Sequence, residues 1–322
     1  MIRRAAAIVN PSAAGGRAGR LWPSMARQLR ERVGDVTVRC TESAGHATAL
    51  AGALIEAEHD LIIAVGGDGT LSEVANGYLR NDEPIRPNVQ LGFLPVGTGS
   101  DFRRTLRIPA DVRQAIEILA TGKPLDIDVG RVTFVGLDGV ERRRHFINLV
   151  SFGMGGEVAA GAKNCLTAFG GTAAFFGATL RTIASYRGRR IELELDGDGH
   201  WLPFFVSNVA VGNGQYHGGG MRPCPTALLS DGVLELTVID YLNAFEIARD
   251  IRVLYSENVY RLPKVHHLRA RRLSARADEP TRIEVDGEPL GWLPLEIEVL
   301  PRRLPVLVSP FSPLFAPPAA AS

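Results

Sequence analysis

A charge-free apolar run that ends in two glycines constrains the fold more than any other stretch. Residues 61–65 (LIIAV) have the length of a buried strand, and Gly66 and Gly67 end it abruptly. Thr70, followed three residues later by Glu73, fits a helix capping box, so a helix is expected to begin at Thr70. The stretch therefore predicts a buried parallel strand that leads into a helix.

The glycines of this turn suit a bound phosphate. Gly66, Gly67 and Gly69 remove side chains where backbone N–H groups point outward, and the helix N-terminus adds the positive end of a dipole. No Lys-Ser/Thr pair follows, so the loop is not a Walker A motif, and its spacing differs from the dinucleotide fingerprint. A tight turn that binds no ligand is the alternative interpretation of the glycines alone.

Strands alternate with helices over about the first 125 residues, which indicates an open α/β sheet. Ala5–Val9 and Val36–Cys40 are predicted strands, and ligands of such sheets bind beyond the carboxyl ends of the strands. Asn10 and Ser12 follow the first strand and Thr41 follows the second, so they are candidate phosphate or ribose contacts. Ordinary turn and cap chemistry is the alternative.

The pattern changes after about residue 128, where long strands with few helices predict an antiparallel sandwich or barrel. One of these strands is expected over residues 143–151, and the last two over 295–300 and 305–308. With 322 residues, of which 45% are hydrophobic, the chain can form two cores. The predicted domains are an α/β domain of residues 1–127, completed by about 295–312, and a β-rich domain of residues 128–294.

An apolar stripe recurs at steps of three and four between the first two long strands, which indicates one helix. Its members are Leu166, Phe169, Ala173, Phe176, Leu180 and Ile183. Packing on the sheet of the second domain is one interpretation, and the wall of an acyl-chain cleft is the other.

Composition excludes several classes of protein. The net charge is +1, from 36 basic and 35 acidic residues, so no overall field favours nucleic acid. Cys40, Cys165 and Cys224 are odd in number and widely spaced, which argues for a reducing cytoplasm and against a structural zinc site. The N-terminal apolar run stops at Asn10, short of a signal peptide, and no other stretch has the length of a membrane span. A cytoplasmic protein is therefore predicted.

A basic cluster lies in the last third of the chain. Its members are Arg261, Lys264, Arg269, Arg271, Arg272 and Arg276. These cations could rest on anionic lipid headgroups, each contributing ~1 kcal/mol near such a surface. A solvated strand face is the other interpretation, since isolated surface charges rarely define a partner.

Four motifs, taken in order, resemble the signatures of one family, the diacylglycerol kinase catalytic superfamily. That superfamily includes bacterial lipid kinases, sphingosine and ceramide kinases and, more distantly, NAD kinases. The resemblance covers about residues 5–309. The motifs are GGDGTL at residues 66–71, PVGTGSDFRR at 95–104, TALLSDGVLEL at 226–236 and VDGE at 285–288.

The resemblance implies a bacterial-type soluble lipid kinase with two domains. The first is an open α/β domain with a nucleotide site like that of NAD kinases, and the second is an antiparallel β-sandwich. The enzyme would transfer the γ-phosphate of ATP to a hydroxyl of a diacylglycerol-like lipid, with Mg²⁺, in the cleft between the domains. The residues assigned to the ATP site, from strand ends and motifs together, are Asn10, Ser12, Thr41, Gly66, Gly67, Asp68, Gly69, Thr70, Gly97, Thr98 and Asp128.

The VDGE motif carries the general base in this family. Its acids are assigned to deprotonating the lipid hydroxyl, so the resemblance gives that role to Asp286 and Glu288 as a pair, with Glu288 preferred. Asp-Gly is also a strong hairpin signal, so a purely structural turn is the alternative.

The third motif implies a structural Mg²⁺ in bacterial members. Its ligands here would be the side chain of Asp231 and the backbone carbonyls of Leu228 and Val233. An oxygen-only set with waters suits Mg²⁺, whereas a plain turn at Asp231 and Gly232 needs no metal.

Two other functions stay open. An NAD kinase shares GGDGT, but typically has an Asn-Glu pair in its second nucleotide site and no hairpin that matches Glu288. A non-catalytic lipid-binding protein on a kinase scaffold is the second alternative, raised by Ser72 and Ser100, each of which stands where Asn is usual. Sphingoid bases or phosphatidylglycerol could also replace diacylglycerol as the substrate.

A lipid substrate implies transient, peripheral association with the inner face of the membrane. Neither a nucleic acid partner nor a transmembrane segment is expected. A homodimer is one candidate oligomeric state.

Overall fold

The chain divides into two compact units, of which the second is inserted into the first. Unit 1 contains Met1–Asp128 and Pro301–Ser322, and unit 2 contains Val129–Leu300. Helices and parallel strands form unit 1, and unit 2 is mainly antiparallel, which confirms the predicted two-domain fold class. This computed structural model describes residues 4–96, 100–168, 182 and 185–316.

Parallel strands form the sheet of unit 1. They are β1 (Ala5–Val9), β2 (Val36–Cys40), β3 (Leu61–Gly66), β6 (Gln90–Pro95) and the end of β16 (Glu288–Val308). Outside this sheet, β4 (Leu79–Arg80) pairs with β5 (Glu83–Pro84) in a separate two-stranded ribbon. Their order in the sheet is β16, β6, β3, β1, β2. The register pairs Val9 with Cys40 and with Val65, so the carboxyl ends of these strands lie at one edge.

Helices pack on this sheet, and every residue of β1 and β3 is buried as a result. Near the start of the first helix, Ala14, Gly15 and Gly16 have positive φ, so its regular turns begin after Gly16. The helices of unit 1 are α1 (Ala13–Val33), α2 (His46–Glu56), α3 (Asp68–Asn76), α4 (Asp101–Thr105) and α5 (Val112–Thr121).

Helix α3 begins earlier than predicted. Its first residue is Asp68 and its N-cap is Gly67 in an extended conformation, so the capping box expected at Thr70 is wrong. The Glu73 carboxylate instead accepts hydrogen bonds from the backbone N–H groups of Gly45 and Ala47, at 2.9 and 3.2 Å. Those N–H groups lie at the positive end of α2, where a carboxylate is stabilising.

Unit 2 is built from antiparallel strand pairs around one large apolar cluster. Phe146, Phe152, Leu236 and Ile283 are buried in that cluster. The remaining elements are β7 (Lys123–Gly136), which enters from unit 1, β8 (Glu141–Phe146), β9 (Leu149–Gly153), α6 (Met154–Ala168), β10 (Arg189–Leu195), β11 (Trp201–Gly212), β12 (Leu234–Asp240), α7 (Ala244–Asp250), β13 (Val265–Ala270), β14 (Arg272–Ala277) and β15 (Arg282–Val285).

Two strand predictions are wrong. The strand expected over residues 143–151 is divided into β8 and β9, because backbone N–H groups between them donate to the carboxylate of Asp286 and not to a neighbouring strand. Conversely, the two strands expected over 295–300 and 305–308 belong to one continuous strand, β16. Neither outcome is visible in the local alternation of apolar and polar residues, since each depends on a distant partner.

The apolar stripe predicted after residue 165 lies outside the described side chains. Over the ranges that the structure does describe, no helix is both long and apolar enough to cross a membrane.

Gly77, at the end of α3, packs directly against α2. Gly77 follows α3 with an ordinary φ of −76°, and a Cβ there would contact the carbonyl of Thr48 and lie 2.6 Å from the Cβ of Ala51. Gly52 lies on the same face of α2, but the nearest atom to a Cβ at Gly52 is 3.6 Å away. Only Gly77 is therefore required by the close packing of the two helices.

We expect Gly77→Ala to lower the free energy of unfolding by about 1–3 kcal/mol, because the added methyl group overpacks a backbone contact. Gly52→Ala is the matched control and should leave stability unchanged or raise it, since alanine favours a helix. Urea unfolding followed by circular dichroism measures both. Equal stability of the two variants would contradict the close packing at Gly77.

Candidate active site

Predicted ligand residues meet at the carboxyl edge of the unit 1 sheet. Asn10 Nδ2 donates a hydrogen bond to Thr70 Oγ1 at 3.1 Å, which links the segment after β1 to the start of α3. Asn10 Oδ1 accepts from the N–H of Ser12 at 3.1 Å, and the N–H of Thr41 donates to the carbonyl of Val9 at 2.9 Å. The structure thus brings these residues together, while their contact with a nucleotide stays a prediction.

The Asp68 carboxylate connects the two glycine motifs. Its Oδ2 accepts from the N–H of Asp101 at 2.7 Å, and its Oδ1 accepts from the N–H of Phe102 at 3.2 Å. Both N–H groups lie at the start of α4, so Asp68 caps that helix from another part of the chain. Ser100, the N-cap residue of α4, has φ of 46°, a left-handed conformation that Asn adopts more readily than Ser.

Two glycines of the GGDGT motif, Gly66 and Gly69, are explained by different physical requirements. A Cβ at Gly66 would lie 2.5 Å from Thr70 Oγ1, so Gly66 is required by the fold itself. Gly69 is exposed in the first turn of α3, and a Cβ there would have no neighbour within 4 Å among the described residues, which do not include 97–99. Packing therefore gives no reason for glycine at position 69, whereas close approach of a ligand to the helix N-terminus does.

Asp128 is placed differently from the other predicted ATP-site residues. It is fully buried, and its Oδ1 accepts from the N–H of Arg302 at 2.8 Å. Within unit 1 this bond joins the segment that leaves the unit to the segment that returns to it. Nucleotide contact by Asp128 stays a prediction, and Gly97 and Thr98 lie outside the described residues.

The hairpin turn predicted at Asp286 and Gly287 is confirmed, with φ of 49° and 86° at the two residues. The Asp286 carboxylate accepts hydrogen bonds from three consecutive N–H groups, of Ile147 at 3.2 Å, Asn148 at 3.0 Å and Leu149 at 3.1 Å. These bonds fix the turn to the break between β8 and β9. The Asp286 carboxylate is therefore suited to holding the hairpin turn in position.

Glu288, two residues later, has a more open environment. Its side chain is 35% exposed, and its Oε2 lies 3.5 Å from Nη2 of Arg144. Arg144 lies on β8, and its Nε is buried without a hydrogen-bond partner among the described residues. The Glu288 carboxylate is therefore partly accessible, while the base role of both acids stays a prediction.

Sequence reasoning missed a polar cluster beside the hairpin. Glu284 Oε1 accepts from Ser151 Oγ at 2.9 Å and pairs with His217 Nε2 at 2.6 Å, although the Glu284 side chain is only 3% exposed. Asn148 Nδ2 donates to the carbonyl of Tyr216 at 3.0 Å, and Asn148 Oδ1 is buried without a partner among the described residues. The glycine-rich stretch around His217 was the feature of the sequence that could have indicated this cluster.

The residues assigned to a structural Mg²⁺ do not fit a metal. Asp231 Oδ2 lies 2.6 Å from Nη2 of Arg269, and Asp231 Oδ1 accepts from the N–H of Val233 at 3.2 Å. A guanidinium group therefore stands where the divalent cation would bind the only carboxylate of the set. In the part of the chain that is described, no three His, Cys, Asp or Glu side chains are grouped as metal ligands.

Three of the six residues of the basic cluster are paired with acids of unit 2. Lys264 pairs with Glu246 at 2.7 Å, and Arg276 Nε pairs with Glu192 at 2.6 Å. Arg269 pairs with Asp231 as described above. For these three residues, the pairs favour a solvated strand face over contact with lipid headgroups.

Two family models match the chain. The model described as "Diacylglycerol kinase catalytic domain" matches residues 4–132, and the model described as "YegS C-terminal NAD kinase beta sandwich-like domain" matches residues 148–308.

Named relatives match over nearly the whole chain. A diacylglycerol kinase of Staphylococcus saprophyticus is 29% identical over 294 residues, which cover 91% of this chain and 92% of the relative. One from Staphylococcus carnosus is 26% identical and covers 95% of each chain. The crystal structure of a putative diacylglycerol kinase from Bacillus anthracis superposes with a TM-score of 0.74 at 25% identity, and covers 96% of this chain and 98% of that one.

The two matched ranges correspond largely to the two units of the fold. The chain belongs to the diacylglycerol kinase catalytic superfamily, a family of lipid kinases.

We expect Asp286→Ala to lower the free energy of unfolding by about 2–4 kcal/mol, because three backbone N–H groups lose a charged acceptor. Glu288→Ala, two residues away, should lower it by less than about 1 kcal/mol, since its only described ion pair is long and partly exposed. Urea unfolding of both variants measures the difference. A larger loss at Glu288 would contradict the structural role assigned to Asp286.

Proposed function

We propose that the protein transfers the γ-phosphate of ATP to a hydroxyl group of a diacylglycerol-like lipid. The observation that carries this proposal is the carboxyl edge of the unit 1 sheet, where Asn10, Asp68 and Thr70 are held around exposed Gly69. The relatives named diacylglycerol kinase, which match over most of the chain, support the same substrate class.

Unit 1 would bind the triphosphate mainly through its backbone. The N-terminus of α3 offers N–H groups and the positive end of the helix dipole to the phosphate oxygens. Gly69 lets the phosphate approach the helix, because no side chain stands there. Asp68 holds the start of α4 beside this loop, so its own negative charge is partly balanced by two N–H donors.

Unit 2 would supply the general base. As the lipid hydroxyl attacks the γ-phosphorus, its proton passes to a carboxylate oxygen of Glu288, while the bond from that phosphorus to the bridging oxygen of ADP breaks. Arg144 beside Glu288 would help to orient this carboxylate, since the two side chains form an ion pair at 3.5 Å. Asp286 would position the turn and not take the proton, because its oxygens already accept three N–H groups.

Mg²⁺ carried with the triphosphate would offset the charge that develops on the transferred group. No residue of the Asp231 set takes part in that role, since its carboxylate is paired with Arg269.

With a lipid substrate, the protein would act in the cytoplasm with transient, peripheral contact with the inner face of the membrane, where it would serve phospholipid metabolism. A non-catalytic lipid-binding protein is the second candidate. One observation favours it: Ser72, which stands where Asn is usual, is buried and its Oγ has no hydrogen-bond partner among the described residues.

Transfer of radiolabel from γ-labelled ATP, with Mg²⁺, into a panel of micelle-dispersed lipids and into NAD tests the proposal. Label should enter diacylglycerol or a related lipid. Glu288→Gln should lower kcat by about 10²–10⁴-fold, because the proton acceptor is lost, while ATP binding stays intact. Glu296→Gln, an exposed acid of the same strand, is the matched control and should keep full activity.

Label in NAD would contradict the lipid substrate and favour the NAD kinase alternative. Tight lipid binding without transfer of label to any acceptor would favour the non-catalytic lipid-binding protein.

We further expect Gly69→Ala to weaken ATP binding by at least about tenfold while leaving stability unchanged or raised by up to about 1 kcal/mol. A methyl group at this position meets no atom of the described residues within 4 Å, and it would stand in the path of the phosphate. Calorimetric titration with ATP and urea unfolding separate the two effects. Unchanged affinity would contradict phosphate binding at this helix N-terminus.

A further inference from the structure

Strand pairing in unit 2 builds a charged cluster from residues of β12, β13 and the loop before β12. The antiparallel register sets Glu235 opposite Arg269, and Thr237 opposite His267. Because alternate residues of a strand share a face, Arg269 and His267 both meet the side of β12 that carries Glu235 and Thr237. Asp231 approaches the same face from the loop.

Arg269 joins the two carboxylates of this cluster. Its Nη2 lies 2.6 Å from Asp231 Oδ2, and its Nε lies 2.9 Å from Glu235 Oε1. The planar guanidinium therefore contacts both acids at once, a geometry that a point cation such as Lys does not reproduce.

The second acid is deeply buried and its other oxygen is also bound. The Glu235 side chain is 3% exposed, and its Oε2 accepts a hydrogen bond from Thr226 Oγ1 at 3.0 Å. The same oxygen contacts His267 Nε2. The His267 ring is stacked on Tyr260, with ring centroids 4.0 Å apart and 11° between the planes. A buried carboxylate needs such partners, because an unpaired charge there would be strongly destabilising.

We propose that Arg269 replaces the structural divalent cation which the TALLSDGVLEL motif implies at Asp231. A Mg²⁺ ion would have to lie about 2.0–2.1 Å from an Asp231 oxygen, so close to the guanidinium that the two cations would repel each other strongly. The Arg269 guanidinium, which is part of the chain, thus neutralises Asp231 in place of an exchangeable Mg²⁺ ion. Unit 2 of this protein is therefore stable without Mg²⁺, whatever the metal requirement of its nucleotide.

This inference is independent of the proposed function. It concerns folding of unit 2, so a failure of the kinase assay leaves it intact, and a failure here leaves the kinase proposal intact.

The test compares thermal unfolding of the full-length, nucleotide-free protein in EDTA and in a series of Mg²⁺ concentrations. The wild-type melting temperature should agree within about 1 °C in all of these buffers. Arg269→Gln should melt several degrees lower in EDTA, because Asp231 and Glu235 lose their shared cation. Added Mg²⁺ should restore this variant in a concentration-dependent way, as expected for a ligand that binds only the folded state.

Two variants serve as controls. Arg271→Gln changes an exposed arginine of the same segment and should behave like the wild type in every buffer. Asp231→Asn combined with Arg269→Gln should lose the response to Mg²⁺, because the carboxylate ligand is gone.

A wild-type protein that melts lower in EDTA, recovers with Mg²⁺ and loses this response in Asp231→Asn would overturn the proposal. An Arg269→Gln variant that Mg²⁺ does not stabilise would also overturn it. If Arg269→Gln does not fold, equilibrium dialysis of the wild type against Mn²⁺ decides. Bound Mn²⁺ that is lost in Asp231→Asn contradicts the proposal, and identical Mn²⁺ binding by the two proteins supports it.

Discussion

Both candidate sites depend on one kind of interaction, a carboxylate that accepts hydrogen bonds from backbone N–H groups distant in sequence. Asp68 does this for the first residues of α4, and Asp286 does it for the break between β8 and β9. Such bonds are stronger than neutral ones, and they fix the backbone and not merely a side chain. The loops that carry Gly69 and Glu288 are held in place by these acids, which explains why acidic residues lie inside motifs usually described by their glycines.

The sequence was sufficient where the information is local. The apolar run before Gly66, the alternation of strands and helices in unit 1 and the Asp-Gly turn at Asp286 each follow from neighbouring residues. The grouping of Asn10 with Thr70 also followed, because parallel strands share one carboxyl edge. Relatives of known class supported the family assignment independently.

Predictions were wrong where a partner lies far away in the chain. Glu73 caps α2 and not its own helix, since the orphan N–H groups of Gly45 and Ala47 are nearer to its carboxylate. The pairing of Asp231 with Arg269 depends on the register of β12 and β13, which no local pattern reveals. The same limit hid the Glu284–His217 pair. In each case one ionic side chain had several chemically reasonable partners, and only the tertiary fold selects among them.

The interrupted course of unit 1 has a consequence for how the protein is made on the ribosome. Strand β6 is paired with β3 on one side, and on the other side with β16, where Val306 is aligned with Leu91. That second neighbour is synthesised more than two hundred residues after β6, and after the whole of unit 2. During translation, the nascent chain therefore carries a parallel sheet with an open edge while unit 2 can already complete its own core. Unit 1 begins first along the chain, yet its sheet can be completed only after unit 2 has been synthesised.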